Sequence, residues 1–350
     1  MQIGMSPQGQ LIQINQALKS EKYVCPTCGQ KLVIKTSCLG KKYFGHLQRS
    51  SKLCGESTPH QLGKQQIFQW ALSQGWHPKL EVYLPNIHQR PDILIEVKQK
   101  QIAVEYQCSP LTIDQMKQRN QGYDSQGICV KWILGHRYCR HLHARKVAQF
   151  TQRYQNQVCL YFWDSKSQRI IYRSNFATSS FRANIGSKAE RILKQTNRLQ
   201  SNRFITNPLT NFCYQNGHLV GCCPLFVHDL IKRWPVMVTP VIEWRIRTLL
   251  IMEKWPIGKS LSLGTWQQWL FFSADWLEFP CLDERMIEQL RYRVILDWQE
   301  ALVMAGIIQI NNLMVHYCSC PIWYNNITEK NTEIKQLASK TGRLFQRMIK

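Results

Sequence analysis

The spacing of apolar positions changes along this chain, and each change marks an element. Ile93-Leu94-Ile95 and Ile102-Ala103-Val104 flank the polar stretch Lys98-Gln99-Lys100-Gln101, which predicts a β-hairpin over 91–107. Side chains alternate across a strand, so Val104 and Tyr106 share one face while Glu105 and Gln107 share the other. Upstream, Ile67, Phe68, Trp70, Ala71 and Leu72 predict a helix over 57–74, with Pro59 tolerated in its first turn. The pattern continues with strands near 79–84 and 128–134, helices over 111–121 and 139–153, and closing strands near 158–163 and 168–173. Helices and strands alternating in this order predict a mixed α/β (α+β) core, a sheet covered by helices. Further on, Ile287, Leu290, Val294, Trp298 and Leu302 form one helical stripe ending near Gly306. The following IIQINNLMVHY predicts a hairpin turning at Asn311-Asn312. A helix followed by such a wing suggests a winged-helix-like DNA reader, although the many tryptophans of this half fit core positions better than base-stacking ones.

At about 100–200 residues per domain, 350 residues suggest two or three units. Residues 1–55 read as a small module of short strands, 56–172 as the α/β core and 173–211 as a basic linker or helix. Residues 212–350 read as a mostly helical C-terminal domain with a basic tail. Lys and Arg number 45 against 22 Asp and Glu, a formal charge of +23 with a pI near 9.6, so a polyanion is the expected partner. The N-terminus, MQIGMSPQGQ, has neither the basic region nor the apolar run of a signal peptide. No stretch approaches the roughly 18 apolar residues of a membrane span. The expected setting is therefore the cytoplasm, without membrane insertion, and the 14 cysteines are expected to be reduced thiols.

Three groups of residues carry candidate chemistry. The first is the hairpin itself: Asp92 begins one strand after Pro91, and pairing can bring it opposite Glu105 on the other. Pro-Asp followed by Glu-x-Gln resembles the active-site signature of the PD-(D/E)XK nuclease superfamily. The second is Glu56, His60 and Lys64, spaced i, i+4 and i+8 so that a helix would align a carboxylate, an imidazole and an ammonium. The third is Cys25-Pro26-Thr27-Cys28, whose thiolates can bind one tetrahedral zinc with His46 and Cys54 as the nearest further ligands. An unmetallated or redox-active pair are the alternatives, and the strand expected after Gly29 is unlike a thioredoxin-type setting.

Taken in this order, the YVCPTC knuckle, the FGH ending in His46, the Glu56, His60 and Lys64 helix, the RPDIL and AVEYQCS strands, and Arg119 with Tyr123 before ICVKWILG resemble the competence protein CoiA family. This chain has Tyr43 where that family often has a histidine. The resemblance implies a restriction-endonuclease-like PD-(D/E)XK core behind a zinc-knuckle-like module. It also implies a cytoplasmic role in natural transformation, on incoming DNA, beside the strand-exchange protein RecA and the loader DprA.

Phosphodiester hydrolysis needs an activated water and a stabilised pentacovalent phosphate. Asp92 and Glu105 are hard ligands suited to Mg²⁺ or Mn²⁺, with Glu56 and the Tyr106 carbonyl as further candidates. Where the superfamily usually has lysine this chain has Gln107, which can orient water but carries no charge, so Lys64 is the expected cation. His60 is placed to position water or contact phosphate, Arg90 to contact DNA, and Arg119 to anchor a DNA phosphate or pair with an active-site carboxylate. The expectation is a metal-dependent nuclease acting on single-stranded or branched DNA. The competing expectations are a noncatalytic DNA-binding recombination mediator that keeps the fold as a clamp, and a zinc-dependent adaptor.

Overall fold

A computed structural model describes residues 3–25, 29–36, 40, 42–47, 58–139, 142–174, 188–201, 207–231 and 233–339. The N-terminal strands β1 (Ile3–Met5), β2 (Leu11–Gln13), β3 (Tyr23–Val24), β4 (Lys31–Thr36) and β5 (Lys42–His46) form an antiparallel sheet in the order β2-β1-β3-β4-β5. Tyr23, Cys25, Leu32 and Phe44 fill its small core. The expected module of short strands is present.

Next come α1 (Thr58–Ser73), β6 (His77–Leu80), β7 (Ile93–Val97), β8 (Lys100–Gln107), α2 (Ile113–Ser125), β9 (Cys129–Leu134), α3 (Ala144–Phe150), β10 (Gln152–Tyr154), β11 (Gln157–Asp164) and β12 (Arg169–Arg173). Their strands form one mixed sheet, β6-β7-β8-β9-β11, with β10 and β12 both pairing with β11. β6, β7 and β8 run antiparallel, whereas β8-β9 and β9-β11 are parallel. Alternation sorts the side chains. Ile93, Ile95, Val104, Tyr106, Ile133 and Trp163 face Ile67 and Ala71 of α1, while Leu94 and Ala103 pack with Tyr123 of α2 on the other side. α1 lies so close to the sheet that a Cβ at Gly63 would fall 2.1 Å from Cε1 of Tyr106. Gly63→Ala is expected to cost about 1–3 kcal/mol by overpacking. Chemical denaturation measures this, and an unchanged midpoint would show a looser helix.

Three boundaries differ from the sequence expectation. The hairpin turns on Lys98 and Gln99 alone, both at positive φ (46° and 66°), so Val97 already pairs with Lys100. β6 ends at Leu80 because Glu81 turns the chain out of the sheet at φ 52°. The helix expected over 139–153 is a 3-10 turn, His136–Cys139, followed by the short α3, and Thr151 leads at once into β10.

The C-terminal half contains α4 (Lys188–Ser201), α5 (Pro208–Gln215), α6 (Val241–Met252), β13 (Ser260–Ser262), α7 (Leu263–Phe272), α8 (Glu284–Met304), β14 (Ile308–Asn311), β15 (Met314–Tyr317) and α9 (Ile327–Ser339). α4 is not merely an exposed basic helix, since it buries Ala189, Ile192 and Leu199, and its Ala189 and Ile192 pack with Ile334 of α9. The wing expected after α8 is present as β14-β15, with β13 completing the order β13-β15-β14. Its turn falls on Asn312-Leu313, one residue later than expected. No residue from Ile308 to Tyr317 is Lys or Arg, so this wing offers no lysine or arginine to a phosphate backbone. No helix among the described residues is long and apolar enough to cross a membrane.

These helices do not stand apart from the sheet. Met116, Trp132, Leu134, Phe150, Leu160 and Phe162 belong to one buried cluster with Trp234, Leu277, Phe279, Trp244 and Trp298. Polar contacts accompany it: Trp234 Nε1 donates to Thr151 Oγ1 (2.7 Å), Asn120 Nδ2 donates to the Pro280 carbonyl (2.7 Å), and Lys117 pairs with Glu278.

Candidate active site

Because β7 and β8 run antiparallel with Ile93 opposite Val104, Asp92 comes level with Glu105 at the end of the hairpin. The backbone N–H of Tyr106 donates to Asp92 Oδ2 (2.8 Å). His60 Nε2 lies 3.3 Å from the same oxygen, and Lys64 Nζ lies 3.7 Å from Oδ1. His60 and Lys64 reach one carboxylate because they stand four apart on α1. The His60 ring stacks on Tyr106 with centroids 5.6 Å apart.

Lys64 makes its shorter contact elsewhere, donating to Glu81 Oε1 at 2.6 Å, and Arg90 Nη1 lies 3.4 Å from Glu81 Oε2. Glu81 is a third carboxylate, itself buried, that no motif announced. It follows the last residue of a four-residue strand, and its partners lie 17 and 9 positions away.

Glu105 is held from the opposite face by α2. Its Oε1 accepts from Arg119 Nη2 (2.5 Å) and from the Tyr123 hydroxyl. A capping box sets the start of α2: Thr112 Oγ1 accepts from Gln115 N, and Gln115 Oε1 from Thr112 N. Arg119 and Tyr123, one turn apart, then point at the same carboxylate. Arg119 Nη2 also donates to the Arg90 carbonyl (3.3 Å).

The carboxylates respond differently to this setting. Burial pushes Asp92 upward, but His60, Lys64 and the Tyr106 N–H outweigh it, so its pKa lies below the ordinary value. Burial likewise opposes Glu81, and Lys64 and Arg90 overcome it. For Glu105 burial wins against Arg119, the charge of Asp92 adds to it, and the carboxyl rises from 4.5 to about 7.

A carboxyl whose pKa is raised on folding stabilises the fold while it is protonated, and this contribution is lost as pH rises through the folded value. That contribution is full below pH 4.5 and gone above about pH 7. It amounts to about 3 kcal/mol. Glu105→Gln does not titrate, so it is expected to gain stability relative to the unaltered chain as pH rises from about 5 to 8. Denaturation at the two pH values checks this, and a constant difference would mean that Glu105 is ionised throughout.

Of the residues singled out in the sequence, Asp92, Glu105, His60, Lys64, Arg90 and Arg119 converge here. Gln107 does not join them by any recorded contact: its Nε2 donates to the Ser109 carbonyl at 2.5 Å. Glu56, Cys28 and Cys54 lie outside the described residues. Cys25 is buried just after β3, and His46 ends β5 opposite Leu32. No group of three His, Cys, Asp or Glu able to hold a metal ion occurs among the described residues. Even so, Asp92 and Glu105 supply hard oxygen donors, and part of what raises Glu105 is the charge of Asp92, which a cation between them would offset. Two hard oxygen donors of this kind are of the type a divalent ion takes.

A sequence model described as "Competence protein CoiA, nuclease-like domain" matches residues 56–207. The "Competence protein CoiA" of Bacillus subtilis (strain 168) is 37% identical over 127 residues, which cover 35% of this chain and 34% of that protein. The match thus spans about a third of that relative's length. No solved structure matches the chain. The matched region contains both carboxylates, the α1 cation and the α2 arginine, so it is over this stretch that the chain is similar to the nuclease-like domain of the competence protein CoiA family.

Proposed function

We propose that this protein acts on DNA during natural transformation as a metal-dependent nuclease, with Asp92 and Glu105 at its centre. The observation that carries the proposal is the convergence of these two carboxylates at one hairpin end, gripped from opposite faces by Lys64 and Arg119. Mg²⁺ or Mn²⁺ held by the pair would supply Lewis acidity and an ionised water. The remaining work belongs to the chain. Lys64, His60 and the Tyr106 N–H hold Asp92 ionised and oriented. Arg119, whose side chain is 34% exposed against 5% for Lys64, is the better placed cation for a phosphate. The +23 charge supplies sequence-independent DNA affinity.

Labelled single-stranded, duplex and branched DNA incubated with purified protein and Mg²⁺ or Mn²⁺ tests this reading. Cleavage that disappears with chelator supports it, and intact DNA in all three forms overturns it.

One observation favours the noncatalytic mediator instead. Lys64, Arg90 and Arg119 already pair with Glu81, Asp92 and Glu105. In that reading the fold is a clamp, and RecA and DprA are the expected partners in either case. For the N-terminal module we propose a structural zinc held by Cys25, Cys28, His46 and Cys54. Cys25→Ser is then expected to release zinc and lower the melting temperature. Elemental analysis that finds no zinc in the unaltered protein would reject it.

A further inference from the structure

Immediately beyond the strand that carries Glu105 lies an open cleft of about 450 Å³. Its floor is the segment Cys108-Ser109-Pro110 leaving β8, and its far wall is the His136–Tyr138 turn leaving β9. The two walls are tied together, since Gly135 N donates to the Gln107 carbonyl (2.9 Å) and the Tyr138 hydroxyl donates to the Ser109 carbonyl (2.7 Å). Among the described residues, Arg137, Lys146, His136 and His143 line it, and no Asp or Glu does.

Lys146 is fixed in place, donating to the Leu111 carbonyl and to Gln149 Oε1 at 2.7 Å each, which leaves one N–H of the three. Arg137 has no carboxylate partner among the described residues. Tyr138 and Pro110 give the cleft an apolar wall. The volume falls within the range of small-ligand sites and accommodates one nucleotide.

The charge chooses among ligands. A phosphodiester inside a strand carries one negative charge, whereas a terminal phosphate monoester approaches two near neutral pH. An arginine, a lysine and two imidazoles, with no acid among the described lining residues, suit the dianion. The place suits it as well: Cys108 follows Glu105 by three residues, about 10 Å along an extended strand. A strand end seated here would present a phosphodiester a few nucleotides inward to Asp92 and Glu105.

The geometry points to this cleft as the subsite for the phosphorylated terminal nucleotide of a DNA strand, an inference that rests on the nuclease reading for its neighbouring site. Arg137 is the anchoring group, and Lys146 sets the depth.

Binding is measured in chelator, so that it is independent of cleavage. Short single strands bearing a 5′-phosphate, a 3′-phosphate or neither are titrated against the full chain and against Arg137→Ala, with a free mononucleotide as competitor. One phosphorylated end is expected to bind at least about tenfold more tightly than the unphosphorylated strand, and Arg137→Ala to erase that ratio. Equal affinity for all three strands overturns the inference, as does an equal loss on all three in the variant, which would make Arg137 an ordinary backbone contact. A mononucleotide that competes while strand ends make no difference also overturns it, in favour of a free-nucleotide site. If the chain binds no DNA at all, the nuclease reading falls first; binding without end preference removes only this inference. An unchanged melting temperature for Arg137→Ala excludes misfolding as the cause.

Discussion

Asp92→Asn is expected to lower metal-dependent cleavage by about 10³-fold or more while DNA is bound as tightly as before or more tightly. The amide keeps the shape of the carboxylate and can still accept the Tyr106 N–H, so the hairpin end should survive the change. What disappears is a charged oxygen ligand, and the transition-state stabilisation that a bound divalent ion provides is worth several kcal/mol, each 1.36 kcal/mol being a factor of ten. Binding moves the other way because one negative charge facing phosphate is removed. Single-turnover cleavage and anisotropy titration read the two properties separately. If both fall together, or neither changes, the clamp reading replaces the nuclease one.

Lys64→Met is expected to destabilise the fold by about 3–5 kcal/mol. The lysine is almost fully covered and bridges the buried Glu81 and the half-buried Asp92, so its removal leaves both carboxylates with less than they need. A second change, Glu81→Gln, removes one of those orphaned charges and is expected to restore part of the loss. That rescue distinguishes a structural ion pair from a spare catalytic cation. A Lys64→Met chain that is as stable as the original but inactive would show that the ammonium serves the phosphate directly, as the sequence alone suggests.

The site was partly legible in local spacing because two of its constraints are local. Period-two alternation put Glu105 on one strand face, and the i, i+4 rule put His60 and Lys64 on one side of α1. Arg119 and Tyr123 were found only through family resemblance, although their spacing obeys the same helical rule. Glu81 was invisible: a lone acid after Leu80 takes its role from a positive-φ turn and from partners distant in the chain. Gln107 illustrates the opposite error, since strand parity predicted its direction but could not show that Ser109 would occupy its amide. In the C-terminal half the stripe of α8 was plain, yet helices rich in tryptophan carry no mark of which neighbour they will cover.

The shared core also sets when the site can form in a cell. Trp132, Leu134, Leu160 and Phe162 wait for Trp234, Leu277 and Phe279 to cover them, and α2 waits for Glu278 and Pro280 to pin Lys117 and Asn120. During synthesis at about 5–20 residues per second, the ribosome needs roughly 4–15 s to pass from the end of α4 to Pro280. Through that interval the nascent α/β half carries an open apolar face, and α2, seated on the sheet through Tyr123, lacks its outer pins at Lys117 and Asn120. The finished packing around the site would therefore be acquired late in translation, after the helical half has emerged, and chaperones would have their longest access to the chain just before it.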